Sequence, residues 1–246
     1  MSIVEVPVEY KDGDTVLEGL LCYNKSLVEG GKKLPTVLVC HAWAGRAPIE
    51  CQKAKDLAEL GYAGFAVDLF GKGVVGSGPE QNQKLMQPFV EDRPGLLLKR
   101  LKLSLDTALA QAVCHNKKVA AIGFCFGGLC VLDMVRSGFD LLGVVSFHGL
   151  FHPPEGYQTK KINSKVLALH GYKDPMVPPE SVMSFMKEMA DSECDWQIHA
   201  YGSAGHAFTN KTADSYGFPN VCFEENANRR SWQSMVHFLD ELFVSE

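Results

Sequence analysis

The stretch Gly123-Phe124-Cys125-Phe126-Gly127 sets a cysteine between two glycines, directly after the apolar run Val119 to Phe124 and ahead of a helical stretch. Strand, abrupt turn, helix is the pattern that exposes a nucleophile on a strained elbow, here with cysteine where serine is usual. Side chains at positions 123 and 127 would collide with neighbouring backbone on so tight a turn, which explains the glycines. The turn also puts Cys125 at the amino end of a helix. Partial positive charge and N–H groups there favour a thiolate over a reference thiol with a pKa of about 8.5. No Gly-x-Ser-x-Gly competes for the role, and Ser146 in Val144-Val145-Ser146-Phe147-His148-Gly149 lacks the first glycine.

A cysteine nucleophile needs a base, and the base needs an orienting acid. Downstream, the apolar run Val166 to Leu169 leads into His170-Gly171-Tyr172-Lys173-Asp174-Pro175. Asp174 is placed there to orient and stabilise an imidazolium, the plainer alternative being a turn residue before proline. The run Trp196 to Tyr201 then gives way to Gly202-Ser203-Ala204-Gly205-His206-Ala207-Phe208. His206, flanked by small residues after the last strand, is the expected base. Nucleophile, acid and base follow in the chain order that α/β hydrolases require. The backbone N–H groups of Trp43, on the loop after the first long strand, and of Phe126 are the expected oxyanion donors. Such donors contribute about 3 to 4 kcal/mol each to the transition state. His41 reads as a structural histidine at a strand end. His148 and His152 are four apart, but Gly149, Pro153 and Pro154 break any helix that would align them on zinc. No metal and no cofactor is expected.

The elements that must hold these residues alternate. Strands are expected at Thr36 to Cys40, Tyr62 to Val67, Val119 to Phe124, Leu142 to Phe147, Val166 to Leu169 and Trp196 to Tyr201, with amphipathic helices at Ile49 to Leu60, Pro94 to Cys114, Phe126 to Ser137, Pro179 to Ala190 and Glu225 to Phe243. That order specifies a doubly wound α/β fold, a mainly parallel sheet with helices on both faces. The opening segment to about Leu21, turning at Lys11-Asp12-Gly13-Asp14, reads as a hairpin at the sheet edge. Gly71 to Gly78 lacks the ending and context of a phosphate-binding loop and reads as a surface loop. No repeat or linker divides the chain, so one domain over residues 1–246 is expected.

With 46% apolar and 22% charged residues the 246-residue chain is of ordinary globular composition. A net charge of −5 with scattered Lys and Arg leaves no footprint for nucleic acid. Charges every few residues at the amino terminus exclude a signal-type apolar core, and no segment reaches the roughly 18 apolar residues of a membrane span. The eight cysteines form no Cys-x-x-Cys pair, which points to buried thiols in a reduced, cytoplasmic protein. The oligomeric state is not written in the sequence.

Taken together, Val37-Leu38-Val39-Cys40-His41-Ala42-Trp43-Ala44-Gly45, Asp68-Leu69-Phe70-Gly71-Lys72-Gly73, Gly123-Phe124-Cys125-Phe126-Gly127-Gly128, His170-Gly171 to Asp174 and Gly205-His206-Ala207-Phe208 make the chain resemble the dienelactone hydrolases over nearly its whole length. The resemblance implies a cofactor-free Cys-His-Asp carboxylic ester hydrolase, often acting on an enol lactone from aromatic ring cleavage. Two departures stand out. Ala42 occupies the position of a glutamate that in those enzymes controls the cysteine, and the arginine that holds a substrate carboxylate shortly after the histidine is missing from His206-Ala207-Phe208-Thr209-Asn210. Lys84, Arg93 and Arg100 in the preceding helical region are candidates to substitute, though they read more readily as surface cations. A small-molecule ester or lactone is the expected partner. A thioesterase or acyltransferase with the same triad, or a binding protein that retains the fold, would share these residues.

Overall fold

The computed structural model describes residues 2–244. Eight strands are present: β1 (Ile3–Asp12), β2 (Thr15–Asn24), β3 (Leu34–Cys40), β4 (Ala63–Ala66), β5 (Cys114–Phe124), β6 (Gly143–Phe147), β7 (Lys165–Gly171) and β8 (Trp196–Tyr201). They form a mainly parallel sheet in the order β1-β2-β4-β3-β5-β6-β7-β8. The helices are α1 (Pro48–Glu59), α2 (Pro79–Glu91), α3 (Leu98–Leu109), α4 (Phe126–Arg136), α5 (Pro179–Asp191) and α6 (Glu225–Val244). This is the mainly parallel α/β architecture that the alternating pattern specifies. The chain falls into two compact units, Met1–Ala121 and Ile122–Glu246.

In the first unit the expected hairpin forms, with β1 and β2 paired in register from Ile3 with Asn24 to Asp12 with Thr15 around Gly13 and Asp14. β2 then pairs antiparallel with β4, and β3 pairs parallel with β4. The interior runs of β3 and β4 are wholly buried, as near-continuous Val, Leu and Ala demand of inner parallel strands. Helix α2 was not marked by apolar periodicity: only Asn82 and Phe89 of its residues are buried, so its inward face is too narrow to announce itself. Before α3 the chain makes a wide turn at Arg93–Leu97, where the Asp92 carboxylate accepts the N–H groups of Gly95 and Leu96 at 3.0 and 2.8 Å. Helix α3 ends at Leu109 because Cys114 already begins β5.

Arg93 and Arg100 are not surface cations. Both are buried, and Arg100 pairs with the Asp12 carboxylate at 3.0 Å, donates to the Leu69 carbonyl and lies 5.3 Å from the Phe89 ring centre. A buried guanidinium persists only with such partners. His41 has the structural role expected, its Nε2 accepting the Leu69 N–H at 3.3 Å.

The loop from Ala42 to Ala47 is fixed by a carboxylate. Glu50 on α1 accepts the N–H of Ala42 at 3.2 Å and of Ala47 at 3.0 Å while only 3% exposed. Burial pushes its carboxyl up to about 7 from 4.5, against the pull of those N–H donors. A raised carboxyl pKa means the folded state favours the protonated form. That stabilisation is present below about 4.5 and is lost as pH rises through about 7. Unfolding in urea at a series of pH values is therefore expected to show wild type losing stability relative to Glu50→Gln across this window, by at most about 3 kcal/mol. Parallel curves for the two proteins would contradict it.

Candidate active site

Cys125, Asp174 and His206 all lie in the second unit. Cys125 has φ 54° and ψ −113°, a conformation that few side-chain-bearing residues adopt. Gly123 is required by close approach: a Cβ there would lie 2.0 Å from the carbonyl oxygen of Gly127. The turn is held from both sides. The Cys125 N–H is shared between the Phe147 carbonyl at 3.0 Å and His148 Nδ1 at 3.1 Å, and the Cys125 carbonyl accepts the N–H of Gly128 at 2.9 Å to start α4. Every residue of α4 is buried, so the helix that follows Cys125 is anchored along its length, while Cys125 itself is half-buried.

Asp174 and His206 arrive on two loops that are stitched together. Beyond β7, the N–H of Tyr172 bonds the Tyr201 carbonyl at 3.1 Å and that of Lys173 bonds Ala204 at 2.9 Å. Gly171 faces the Gly205 carbonyl so closely that a Cβ would sit 2.1 Å from it. His206 is itself pinned, donating its N–H to Asn220 at 2.7 Å and accepting from Cys222 at 3.2 Å. With the loops fixed, Asp174 Oδ2 lies 2.7 Å from His206 Nδ1, and His206 Nε2 lies 3.1 Å from Cys125 Sγ. Asp174 also makes the turn contact that was its plainer reading, Oδ1 accepting the Met176 N–H at 2.8 Å. One carboxylate thus shapes its own loop and orients the histidine.

Burial works against a charge on His206, yet the negative charge of Cys125 and the hydrogen bonds to Asp174 and Cys125 outweigh it and push the imidazole up to about 10. Two further histidines are held neutral nearby. Burial first, and then the charge of His206, keeps His148 well below the ordinary value of 6.5, and burial lowers His170 at the end of β7. The three rings are thus shifted in opposite directions, His206 up and His148 and His170 down.

Of the residues singled out in the sequence, Cys125, Asp174 and His206 are brought together, and Phe126 supplies the first N–H of α4 beside the thiol. Trp43 stands half-buried on the loop between β3 and α1 in the first unit. Ser146 is buried against Gly128 and Gly149, where it cannot serve as a nucleophile. His152 is exposed, whereas His148 is engaged by Cys125 and by Thr209 Oγ1 at 2.8 Å. The contact between His148 and the elbow was missed in the sequence. Its signal was a polar residue directly after an apolar strand, at the sheet edge that carries the rest of the site. Among the described residues no cluster of three His, Cys, Asp or Glu side chains could hold a metal, and no helix is long and apolar enough to cross a membrane.

The family model described as "Dienelactone hydrolase family" matches residues 21–243. The chain belongs to the dienelactone hydrolase family. A solved structure titled as a dienelactone hydrolase-like promiscuous phosphotriesterase from metagenomic libraries is 33% identical, with a TM-score of 0.92 over 99% of this chain and all of that one. An uncharacterised protein of Caenorhabditis elegans is 37% identical over 62% of this chain and 98% of its own length. A protein of Aquifex aeolicus named "Putative carboxymethylenebutenolidase" is 28% identical over 83% of this chain and 87% of its own. As a family member the chain is a hydrolase of the ester- and lactone-cleaving type. In this dienelactone hydrolase relative, Gly123→Ala is expected to destabilise the fold by about 1 to 3 kcal/mol, the range for overpacking against atoms that cannot yield. Hydrolysis should fall further than stability because the collision is with the elbow itself. Urea unfolding and hydrolysis rates on the folded variant check this, and wild-type values for both would refute it.

Proposed function

We propose that the chain hydrolyses small neutral carboxylic esters or lactones through a thioester on Cys125, with His206 as base and Asp174 as its orienting acid. The observation that carries this reading is the continuous line from Asp174 through His206 to the sulfur, at 2.7 and 3.1 Å. His206 takes the thiol proton and keeps it as imidazolium, and the thiolate attacks the acyl carbon. The developing oxyanion is met by the backbone N–H of Phe126 and, on the sequence reading, that of Trp43. Collapse of the tetrahedral intermediate breaks the carbon–oxygen bond, and the departing alkoxide takes the proton from His206. A water molecule then gives a proton to neutral His206 as its oxygen attacks the thioester. The acid leaves and the thiolate–imidazolium pair is restored.

Neutral substrates are favoured because no arginine stands in His206-Ala207-Phe208-Thr209-Asn210 and because Arg100, one of the cations that could have substituted, is committed to Asp12 and the Leu69 carbonyl. A carboxylate buried without a cationic partner is costly to desolvate. The whole chain is read as one catalytic domain that needs no cofactor, nucleic acid or membrane. The eight free cysteines support a reducing compartment, the cytoplasm. A second reading, favoured by the printed title of the 33% identical structure, is that the same thiolate attacks the phosphorus of a neutral phosphotriester and expels its best leaving group.

A panel of a neutral aryl ester, a neutral lactone, a carboxylate-bearing dienelactone and a neutral aryl phosphotriester tests both readings, with Cys125→Ala and Cys130→Ala as controls. Hydrolysis of the neutral acyl substrates should be lost in Cys125→Ala and largely kept in Cys130→Ala, whose thiol is buried in α4. The anionic lactone should show the lower kcat/KM. Undiminished hydrolysis by Cys125→Ala would sink the mechanism, and a preference for the anionic lactone would sink the substrate assignment.

A further inference from the structure

We infer that His148 is a positioning residue, a neutral imidazole that ties the backbone of the nucleophile to the loop carrying the base and so sets the distance between Cys125 and His206. The inference rests on the nucleophile and base proposed above. His148 follows β6 directly and is 2% exposed. Its Nδ1 lies 3.1 Å from the Cys125 nitrogen, and an N–H can be accepted only by a ring nitrogen without a proton. The ring proton must therefore sit on Nε2, which donates to Thr209 Oγ1 at 2.8 Å. Thr209 is buried and stands three residues beyond His206 on the same loop. One ring thus spans from the elbow to the base.

The ring is fixed on its other sides as well. Its edge meets the His206 ring at a centroid distance of 5.4 Å and an angle of 66°, and that of Phe208 at 5.1 Å and 82°. The His148 N–H bonds the Leu169 carbonyl of β7 at 2.8 Å, and the residue holds φ 39°, a left-handed backbone that a side chain rarely accepts. A strained conformation persists where its surroundings over-determine it, and here they do so beside the reacting groups. The titratable groups that act on the ring are Cys125 on the elbow and His206 on its loop, with Asp174 behind it. Protonated at Nδ1, His148 would turn a donor towards the Cys125 N–H and add a second cation beside His206. Burial and that neighbouring charge prevent this in the working range.

A buried histidine that only fills space would lower stability when replaced and leave the chemistry of each folded molecule intact. Four variants separate the two roles: His148→Leu removes both hydrogen bonds, His148→Asn keeps an acceptor at the Nδ1 position, Thr209→Val removes only the far anchor, and Thr209→Ser restores its hydroxyl. Each is measured for kcat and KM on a neutral aryl ester and for the rate of Cys125 alkylation by iodoacetamide against pH. A displacement on the scale of an ångström costs about 100-fold, and that is the expected fall in kcat for His148→Leu, with little change in KM. Thr209→Val should lose about tenfold, the loss of one buried hydrogen bond. His148→Asn should recover part of the loss seen with leucine, and Thr209→Ser should behave as wild type. In the impaired variants the alkylation profile should move towards that of a free thiol. If His148→Leu does not fold, His148→Asn and Thr209→Val decide the question: wild-type kcat and alkylation profiles in both would overturn the inference. Activity surviving in Cys125→Ala would instead strike at the nucleophile, whereas an essential Cys125 with indifferent His148 and Thr209 variants would overturn only the role of His148.

Discussion

The 3.1 Å approach of Cys125 Sγ to His206 Nε2 is the contact on which the rest of the second unit depends. It joins a half-buried sulfur to an imidazole that is only 2% exposed, a place where burial alone would keep a histidine neutral. Facing Cys125, and with Asp174 holding its far nitrogen at 2.7 Å, the imidazole is raised instead. His148 is pushed towards neutrality by burial and then by the charge of His206, and at His170 burial outweighs the pull of Asp174. The same burial therefore has opposite outcomes for neighbouring histidines, decided by what each ring faces.

That contact is costly to maintain in the backbone. Cys125 and His148 both hold left-handed conformations without being glycine, and Ala207, directly after the base, is a third at φ 56°. Such positions each cost of order 1 to 3 kcal/mol, and here they gather around the Cys125–His206–Asp174 line. The offset comes from β6, β7 and β8, paired in parallel register, from the buried α4, and from the backbone hydrogen bonds between the loops after β7 and β8. Rigid strands supply the endpoints, and the loops have only short distances left to span.

Much of this was legible in the sequence because the site is local in its parts. The glycine spacing around Cys125 encodes a turn that the chain must make whatever surrounds it, and apolar runs of four to eight residues located the inner strands. The order of nucleophile, acid and base along the chain then joined three separate loops. What stayed hidden depends on contacts between distant segments. His148 and Thr209 are 61 positions apart, and nothing in either neighbourhood marks them as partners. Arg100 looks like a surface cation until Asp12, 88 positions away, is seen to receive it. Glu50 sits at an ordinary helix position, and only the fold reveals that its carboxylate organises the loop from Ala42 to Ala47. Helix α2 was obscured for a different reason, since it buries too few residues to leave a periodic trace.

In the proposed reaction the acyl group passes through Cys125. Rapid acid quenching during turnover of a slow aryl ester, followed by intact mass measurement and peptide mapping, observes that passage directly. A mass increase equal to one acyl group is expected, labile to hydroxylamine and confined to the peptide containing Cys125. Turnover with no adduct at any time after mixing, in a protein where the ester bond is nonetheless cleaved, would argue for direct attack by water. An adduct on a residue other than Cys125 would contradict the assignment of the nucleophile.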